Sequence, residues 1–349
     1  MKKAAIYFEH DPHLLDHIAP LCELLNMPLY ISEEQDYVLA KQYYPQIQII
    51  FKENKELNIE FLNQFDILFQ CKFWEANYIN AINELGSKKT SLVFCPHGNS
   101  DKGHIKNSLI KYFAMQDTVL CYGEHMVNLF KTHNILKHVK RKFITGNYRL
   151  NFYLKYKTFY DKLRNEIFNK LNPNNKTILY APTWYDIEES TSFFDITTSL
   201  IDKLPPNFNL LIKPHPLLEI KKPGQFYQLY ESNKENLLFV EDFLPIFPLL
   251  EKADAYLGDF SSIGYDFLFF QKPMFFVDVK NRDISHPSRF LHRCGISLDA
   301  KQDLFYQMNQ YLNNWPEELK AKQKEIFEYA FDKKVNENEI RSAIESIRS

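Results

Sequence analysis

The chain has 349 residues, of which 45% are hydrophobic and 25% charged, and its formal net charge is -2. This length predicts two domains, and the near-balance of charge excludes the basic excess that is typical of nucleic-acid-binding proteins. Five widely spaced cysteines without a C-x-x-C pair predict reduced core thiols in a cytoplasmic protein, and no stretch approaches the roughly 20 apolar residues that span a bilayer.

In the first half of the chain, short apolar runs alternate with longer amphipathic stretches. This alternation is typical of a parallel sheet that is covered by helices. The pattern predicts strands at 3–8, 28–31, 47–51, 66–71, 91–95, 118–122 and 142–145. A helix is predicted over 12–25, with Asp11 as its N-cap and Pro12 in its first turn.

A charged, aromatic helix over 153–172 separates the two halves, and the alternation then starts again. The second half is predicted to contain strands at 177–181, 208–213, 237–240, 255–258 and 274–277, with helices at 190–203, 223–233, 243–252 and 261–271. The last sixty residues read as helices only.

The sequence therefore predicts an α/β protein with two doubly wound, Rossmann-like domains that face a cleft, the arrangement called GT-B in glycosyltransferases. The predicted domains are an acceptor-side domain over 1–155 and a nucleotide-donor domain over 156–330. A C-terminal helix over 331–349 is predicted to pack back on the first domain.

Several polar motifs directly follow predicted strands, so they are expected at the carboxyl edge of a sheet, where α/β proteins bind ligands. The first is His97-Gly98, with Lys102 five positions after the histidine. The second is His215, which lies between two prolines that restrict the backbone. Each histidine is a candidate ligand contact, and a simple surface turn is the alternative.

The stretch 253–273 carries the most informative motif. Asp259 follows a strand, and Ser261 and Ser262 begin the next predicted helix, whose N-terminal N–H groups and hydroxyls suit a phosphate. The alternative is that one of these side chains only caps the helix. Asp266 lies about one turn inside the same helix.

Two further loops complete the candidate donor site. Pro182, Thr183 and Trp184 form the first strand-to-helix loop of the second half, where such domains usually bind a nucleotide, although Trp184 could equally be a core residue. Arg149 follows a strand and a glycine, where it is either a phosphate ligand or an ordinary surface arginine.

Near the N-terminus, His10, His13, Asp16 and His17 have helical spacing that is compatible with zinc. We favour a polar face beside the cleft instead, with His10 and His13 close to the acceptor because they follow the first strand. No metal site is predicted.

Read as an ordered set over about 90–280, these motifs resemble the CDP-glycerol glycerophosphotransferases of teichoic-acid and capsule synthesis. The matching positions are His97, Gly98, Lys102, Gly146, Arg149, Tyr180 to Trp184, His215, Pro216, Asp259, Ser261, Ser262, Ile263, Asp266, Phe267, Lys272 and Pro273. The chain departs from the family pattern at Asn99-Ser100, where Thr-Pro is usual, and at Tyr148, where proline is usual. The first ninety residues carry no resemblance.

The resemblance implies transfer of a polyol phosphate, glycerol phosphate above all, from a CDP-activated donor to an acceptor hydroxyl, with release of CMP. It implies a lipid-linked or oligosaccharide acceptor, a cytoplasmic location with peripheral membrane contact, and no cofactor besides the donor substrate, with metal dependence left open. The implied roles are His97 as base and, for the donor, the residues His215, Arg149, Pro182, Thr183, Trp184, Asp259, Ser261, Ser262 and Asp266.

Two alternatives stay open at this point. One is a GT-B sugar transferase or nucleotide-sugar 2-epimerase, which shares the architecture. The other is a catalytically inactive nucleotide-binding scaffold.

Overall fold

The computed structural model describes residues 1–8, 10–103, 109–232, 234–332 and 336–348. The chain forms two compact units, and each unit is built from separated stretches of sequence. Unit 1 comprises Met1–Asn99, Asn107–Lys155 and Tyr329–Ser349, and unit 2 comprises Ser100–Lys106 and Tyr156–Glu328. The short segment that follows the His97 turn therefore belongs to unit 2, which no pattern in the sequence indicates.

Seven parallel strands form the sheet of unit 1, in the order β3-β2-β1-β4-β5-β6-β7. All seven predicted strands are confirmed to within two residues at either end. They are β1 (Lys3–Tyr7), β2 (Leu29–Ile31), β3 (Ile49–Phe51), β4 (Ile67–Gln70), β5 (Ser91–Phe94), β6 (Thr118–Cys121) and β7 (Arg141–Ile144). Most of these strands are buried apolar runs, as a parallel sheet covered on both faces requires.

Most helices of unit 1 lie between consecutive strands of its sheet, and the others follow the last of these strands in the chain. They are α1 (Leu15–Leu25), α2 (Glu34–Tyr43), α3 (Ile59–Leu62), α4 (Ala76–Leu85), α5 (Glu124–Thr132), α6 (Tyr148–Lys155) and α15 (Glu337–Glu345). A 3₁₀ turn over Pro12–Leu14 precedes α1. The predicted N-cap role of Asp11 is wrong, because its side chain makes no capping hydrogen bond and pairs with Lys72 at 2.6 Å instead.

The C-terminal segment is part of unit 1. Helix α15 begins with a capping box in which Asn336 and Glu339 satisfy each other's backbone N–H groups. Arg341 on this helix donates from Nε to the carbonyl of Leu24 at the end of α1, at 2.7 Å. This contact joins residues at opposite ends of the sequence.

Six parallel strands form the sheet of unit 2, in the order β10-β9-β8-β11-β12-β13. They are β8 (Lys176–Tyr180), β9 (Phe208–Ile212), β10 (Leu237–Phe239), β11 (Ala255–Gly258), β12 (Met274–Phe276) and β13 (Ile296–Ser297). The first five were predicted. The prediction of helices alone for the last sixty residues is wrong at β13, because two residues are too few to show an alternating pattern.

The helices of unit 2 are shorter than the sequence pattern predicts. They are α7 (Lys157–Phe168), α8 (Phe193–Asp202), α9 (Leu217–Lys221), α10 (Pro223–Gln228), α11 (Ile246–Lys252), α12 (Ile263–Phe267), α13 (Leu304–Leu312) and α14 (Glu317–Phe331), of which α14 continues into unit 1 from Tyr329. The single helix predicted over 153–172 is two helices, α6 and α7, with the boundary between the units at Lys155 and Tyr156.

All five cysteines are unpaired and buried. Within the ranges that the structure describes, no helix is both long enough and apolar enough to cross a membrane.

Candidate functional site

The order of strands reverses between β8 and β11 in unit 2, and doubly wound domains bind ligands at such a switch point. Asp259, which follows β11, reaches the loop that follows β8. Its carboxylate accepts the backbone N–H of Thr183 at 2.8 Å, the backbone N–H of Ser192 at 2.8 Å and the Ser192 hydroxyl at 2.9 Å. Asp259 is 0% exposed, so it holds this loop in place from inside the protein.

Burial raises the pKa of Asp259 to about 6, against the effect of its three hydrogen-bond donors. On the other side of the same peptide, His292 Nε2 lies 3.0 Å from the Asp259 carbonyl oxygen. Since a carbonyl only accepts, His292 carries its proton on Nε2 and donates it to Asp259. The backbone after β11 is therefore fixed from two directions.

The two serines after Asp259 differ in exposure. Ser261 is buried, whereas Ser262 is half-buried. The helix that they precede, α12, has only five residues before it becomes a 3₁₀ turn over Leu268–Phe270, so the predicted helix over 261–271 is too long. Asp266 lies within α12 and is buried.

Lys102, which the sequence placed near His97, contributes to unit 2. Its Nζ donates to the Thr183 hydroxyl at 2.7 Å, forms an ion pair with Asp186 at 3.1 Å and lies 5.5 Å from the centre of the Trp184 ring. Trp184 is half-buried, while Thr183 and Pro182 are buried. The loop after β8 is thus organised by a lysine and by the carboxylate of Asp259.

His215 follows β9, the strand next to β8. Its Nδ1 accepts the backbone N–H of Leu217 at 3.2 Å, and the ring is half-buried. A nitrogen that accepts a hydrogen bond carries no proton, so the neutral ring carries its proton on Nε2 and presents a donor there. This chemistry suits a phosphate oxygen.

In unit 1, His97 follows β5 and is exposed. Gly98 has φ of 120°, a conformation that side chains with a Cβ rarely adopt, so the turn requires glycine at this position. The His97 ring meets the rings of His13 and His17 edge to face, with both centroid distances at 6.3 Å. Three imidazoles therefore lie together at this edge of the sheet.

Arg149 is buried in unit 1 with a carboxylate as its partner. Its Nε donates to the backbone carbonyl of Asp16 at 2.9 Å, and its Nη2 pairs with the Asp16 carboxylate. The predicted contact between Arg149 and the donor stays a prediction.

His10 is exposed and bonds through Nδ1 to a carboxylate oxygen of Asp36 at 2.9 Å. Asp36 is 0% exposed and also accepts the hydroxyl of Tyr7 at 2.9 Å. Burial raises the pKa of Asp36. The zinc alternative placed His10 and Asp16 in one ligand set. In the structure, His10 bonds to Asp36, and Asp16 bonds to Arg149. Among the described residues, no three His, Cys, Asp or Glu side chains are grouped to hold a metal.

Sequence reasoning missed Ser192, Asp186, His292, Asp36 and Tyr122 as partners of the candidate residues. Each lies far along the chain from the residue that it contacts or within an unremarkable helix or loop, so no local motif marked it. The histidine cluster around His97 had a weak signal in the repeated histidines of the segment 10–17.

A family model described as CDP-Glycerol:Poly(glycerophosphate) glycerophosphotransferase matches residues 31–287, so the expectation that the first ninety residues carry no resemblance is wrong from residue 31 onward. The teichoic acid glycerol-phosphate primase of Bacillus subtilis (strain 168) is 26% identical over 258 residues, which cover 72% of this chain and 61% of the primase. The teichoic acid poly(glycerol phosphate) polymerase of Bacillus spizizenii is 24% identical over 284 residues, covering 71% of this chain and 68% of the polymerase. The chain thus spans about three fifths of the length of the primase.

Two solved structures are similar over nearly the whole chain. The wall teichoic acid polymerase TagF has a TM-score of 0.63 and 12% identity, covering 99% of this chain and 90% of that one. The UDP-GlcNAc 2-epimerase from Neisseria meningitidis has a TM-score of 0.61 and 16% identity, covering 99% of this chain and 100% of that one. The predicted fold class, with two parallel α/β sheets, is confirmed.

Proposed function

The chain belongs to the CDP-Glycerol:Poly(glycerophosphate) glycerophosphotransferase family, and on this premise we propose that it transfers glycerol phosphate from CDP-glycerol to an acceptor hydroxyl, releasing CMP. The single observation that carries the proposal is the Asp259 carboxylate at the switch point of unit 2, which holds the Thr183 loop that the family resemblance assigns to the nucleotide. Burying a carboxylate costs desolvation free energy, which its three hydrogen-bond donors offset. The result is one fixed loop at the carboxyl edge of the sheet, where a ligand is expected.

Unit 2 supplies the donor contacts in this proposal. The Nε2–H of His215 and the half-buried hydroxyl of Ser262 donate to oxygens of the diphosphate. Trp184 is half-buried, so part of its ring is exposed to frame the nucleotide. Fixed donors of this kind stabilise the charge that develops as the bond to CMP breaks.

Unit 1 supplies the base. The acceptor oxygen attacks the phosphorus that carries glycerol, the bond from this phosphorus to the bridging oxygen breaks, and CMP leaves with that oxygen. His97 accepts the proton that the acceptor hydroxyl loses, a role for which an exposed imidazole with a near-neutral reference pKa is suited.

The test is an assay of CMP release from CDP-glycerol with an oligomeric glycerol-phosphate acceptor, comparing His97→Ala with wild type. General base catalysis contributes roughly 10²–10⁴-fold, so we expect a loss of that size while CDP-glycerol still binds in calorimetry. His138→Ala, at another exposed histidine of unit 1, is the matched control and should keep full activity. Near-normal transfer by His97→Ala would show that another group is the base.

The same assay separates the alternative functions. CDP-ribitol in place of CDP-glycerol tests the polyol, and UDP-GlcNAc tests a sugar transferase or a 2-epimerase. Binding of CDP-glycerol without CMP release from any acceptor would indicate an inactive scaffold. The sequence leaves dependence on a divalent metal open, and parallel assays in EDTA and in Mg²⁺ test it.

We further propose a lipid-linked acceptor and peripheral contact of unit 1 with an anionic membrane. The segment 131–142 contains five basic and no acidic residues, and these cations are exposed: Lys131, Lys137, Lys140, Arg141 and Lys142. Tyr112 and Met115, on the adjacent 3₁₀ segment Leu109–Met115, are exposed large apolar side chains. Cationic side chains beside exposed apolar ones are the combination that binds an anionic lipid surface.

A further inference from the structure

The backbone that leads into His97 is held by a buried tyrosine. The hydroxyl of Tyr122 donates to the carbonyl of Pro96, the residue before His97, at 3.1 Å. The same hydroxyl lies 2.8 Å from Nδ1 of His17. Tyr122 is 0% exposed, so water does not compete for these bonds.

These two contacts define the tautomer of His17. A carbonyl oxygen only accepts, so the single proton of the Tyr122 hydroxyl goes to Pro96. The hydroxyl oxygen then accepts Nδ1–H of His17, which leaves Nε2 of His17 unprotonated. Burial, and then the charge of Arg149, hold the pKa of His17 well below its ordinary value, so the ring is neutral.

Two other side chains hold the backbone carbonyls of Asp16 and His17. The hydroxyl of Tyr148 donates to the His17 carbonyl at 3.0 Å, and Arg149 donates from Nε to the carbonyl of Asp16 at 2.9 Å. The charge of Arg149 is balanced by the Asp16 carboxylate. Arg149 and Tyr148 lie on α6, so this helix fixes the backbone at the start of α1.

We propose that Arg149, His17 and Tyr122 are positioning residues for His97, acting through the contacts Arg149–Asp16, His17–Tyr122 and Tyr122–Pro96. The inference rests on the proposed function, because it assumes that His97 is the base. It assigns the glycine-x-x-arginine motif of the sequence to the geometry of the base, whereas the sequence alone suggested a phosphate ligand. A fixed turn and a neutral neighbouring ring keep His97 in one orientation for proton transfer.

The first test replaces Tyr122 by phenylalanine, which keeps the ring and removes only the hydroxyl. We expect kcat to fall about tenfold with no change in the KM or Kd of CDP-glycerol. The matched control is Tyr78→Phe, which removes a half-buried hydroxyl of unit 1 that donates to the backbone carbonyl of Leu57 at 3.4 Å. This control should keep wild-type kcat.

A spectroscopic measurement makes the test independent of turnover. In ¹⁵N–¹H correlation spectra, wild-type His17 should show a protonated Nδ1 and an unprotonated Nε2. Tyr122→Phe should shift this ring to a tautomer mixture, while Tyr78→Phe should leave it unchanged. A protonated Nε2 in the wild-type protein would overturn the proposal.

The second test concerns Arg149. Arg149→Lys keeps the positive charge but loses the two-pronged contact with Asp16. We expect the Kd of CDP-glycerol to stay within twofold of wild type while kcat falls. A tenfold weaker Kd with unchanged His17 spectra would return Arg149 to the role of phosphate ligand and overturn the inference.

These experiments distinguish a failure of the base assignment of His97 from a failure of the positioning role. If wild type and His97→Ala release CMP equally, the proposed function of His97 fails, whatever the Tyr122 variant does. If His97→Ala is inactive and Tyr122→Phe has wild-type kcat, the positioning role is wrong while the base assignment stands.

Discussion

Asp259, a predicted donor contact, supports a neighbouring loop in the structure. Its position after a strand and before two serines is typical of a phosphate site or a helix cap. In the structure it is completely buried and accepts three hydrogen bonds from the loop that follows β8. In the proposed function, Asp259 acts on the donor through the position of Thr183.

Asp259→Asn should destabilise unit 2 and weaken donor binding together. The amide retains one acceptor oxygen but points its NH₂ group at N–H donors, which leaves buried donors unpaired at about 1–3 kcal/mol. We expect a loss of that size in the free energy of unfolding by urea, and a higher Kd for CDP-glycerol. Asp299→Asn, at an exposed aspartate of the same unit, is the control; equal losses in both variants would contradict the supporting role.

At the scale of elements, two short 3₁₀ turns, Pro287–Arg289 and Leu291–Cys294, support the backbone after β11. They carry His292, whose ring stacks on Phe276 at 4.5 Å between centroids and donates to the Asp259 carbonyl. Burial lowers the pKa of His292 to about 4. The contact that holds the backbone at Asp259 therefore depends on the neutral form of His292.

This arrangement predicts a pH dependence of stability. The unfolded chain binds a proton on His292 near its reference pKa of about 6.5, whereas the folded protein binds it only near pH 4, so acidification between these values favours unfolding. The contribution of neutral His292 to the free energy of unfolding is fully present above pH 6.5. About 3 kcal/mol of it is lost by pH 4. Asp259 acts in the opposite direction below about pH 6, because its folded pKa is raised.

The contribution of His292 is isolated by comparing wild type with His292→Phe, which keeps an aromatic ring against Phe276. Urea unfolding at intervals from pH 7 to pH 4 should give a smaller loss of stability on acidification in the variant than in wild type. If the free energy of unfolding depended on pH equally in both proteins, the described titration of His292 would be wrong. His138→Gln, at an exposed histidine, should follow the wild-type curve.

At the scale of the whole molecule, the charges are distributed unevenly along the chain. The net charge is only -2, yet the segment 131–142 concentrates five basic residues without an acidic one. Lys140 pairs with Asp117, and all five cations of the segment are exposed. A nearly neutral protein therefore has one strongly cationic edge in unit 1.

This edge predicts salt-sensitive binding to anionic vesicles. In co-sedimentation with phosphatidylglycerol vesicles, Lys137→Glu combined with Lys142→Glu should reduce binding at least tenfold, since each basic residue contributes about 1 kcal/mol and reversal also adds repulsion. Lys41→Glu combined with Lys89→Glu, at exposed lysines of unit 1 outside the segment, should bind like wild type. Equal binding by all three proteins, or equal binding to neutral phosphatidylcholine, would refute the proposed contact.

The amino-acid sequence by itself determined the fold class, the order of the motifs and, among the residues that the structure describes, twelve of the thirteen strands. The physical reason is that hydrophobic alternation, prolines and strand-end motifs are local and act within a few residues. It failed at β13 and at the ends of α12, where two- to five-residue elements are set by their neighbours.

Only the tertiary structure decided which side chains meet. Asp259 reaches Ser192 across 67 positions of sequence, and Arg149 reaches Asp16 across 133. These pairings follow from which strands and helices are neighbours, a property of the packed chain that no local pattern encodes. For the same reason, the sequence did not indicate that Arg149 is a buried partner of Asp16, and its predicted contact with the donor stays a prediction.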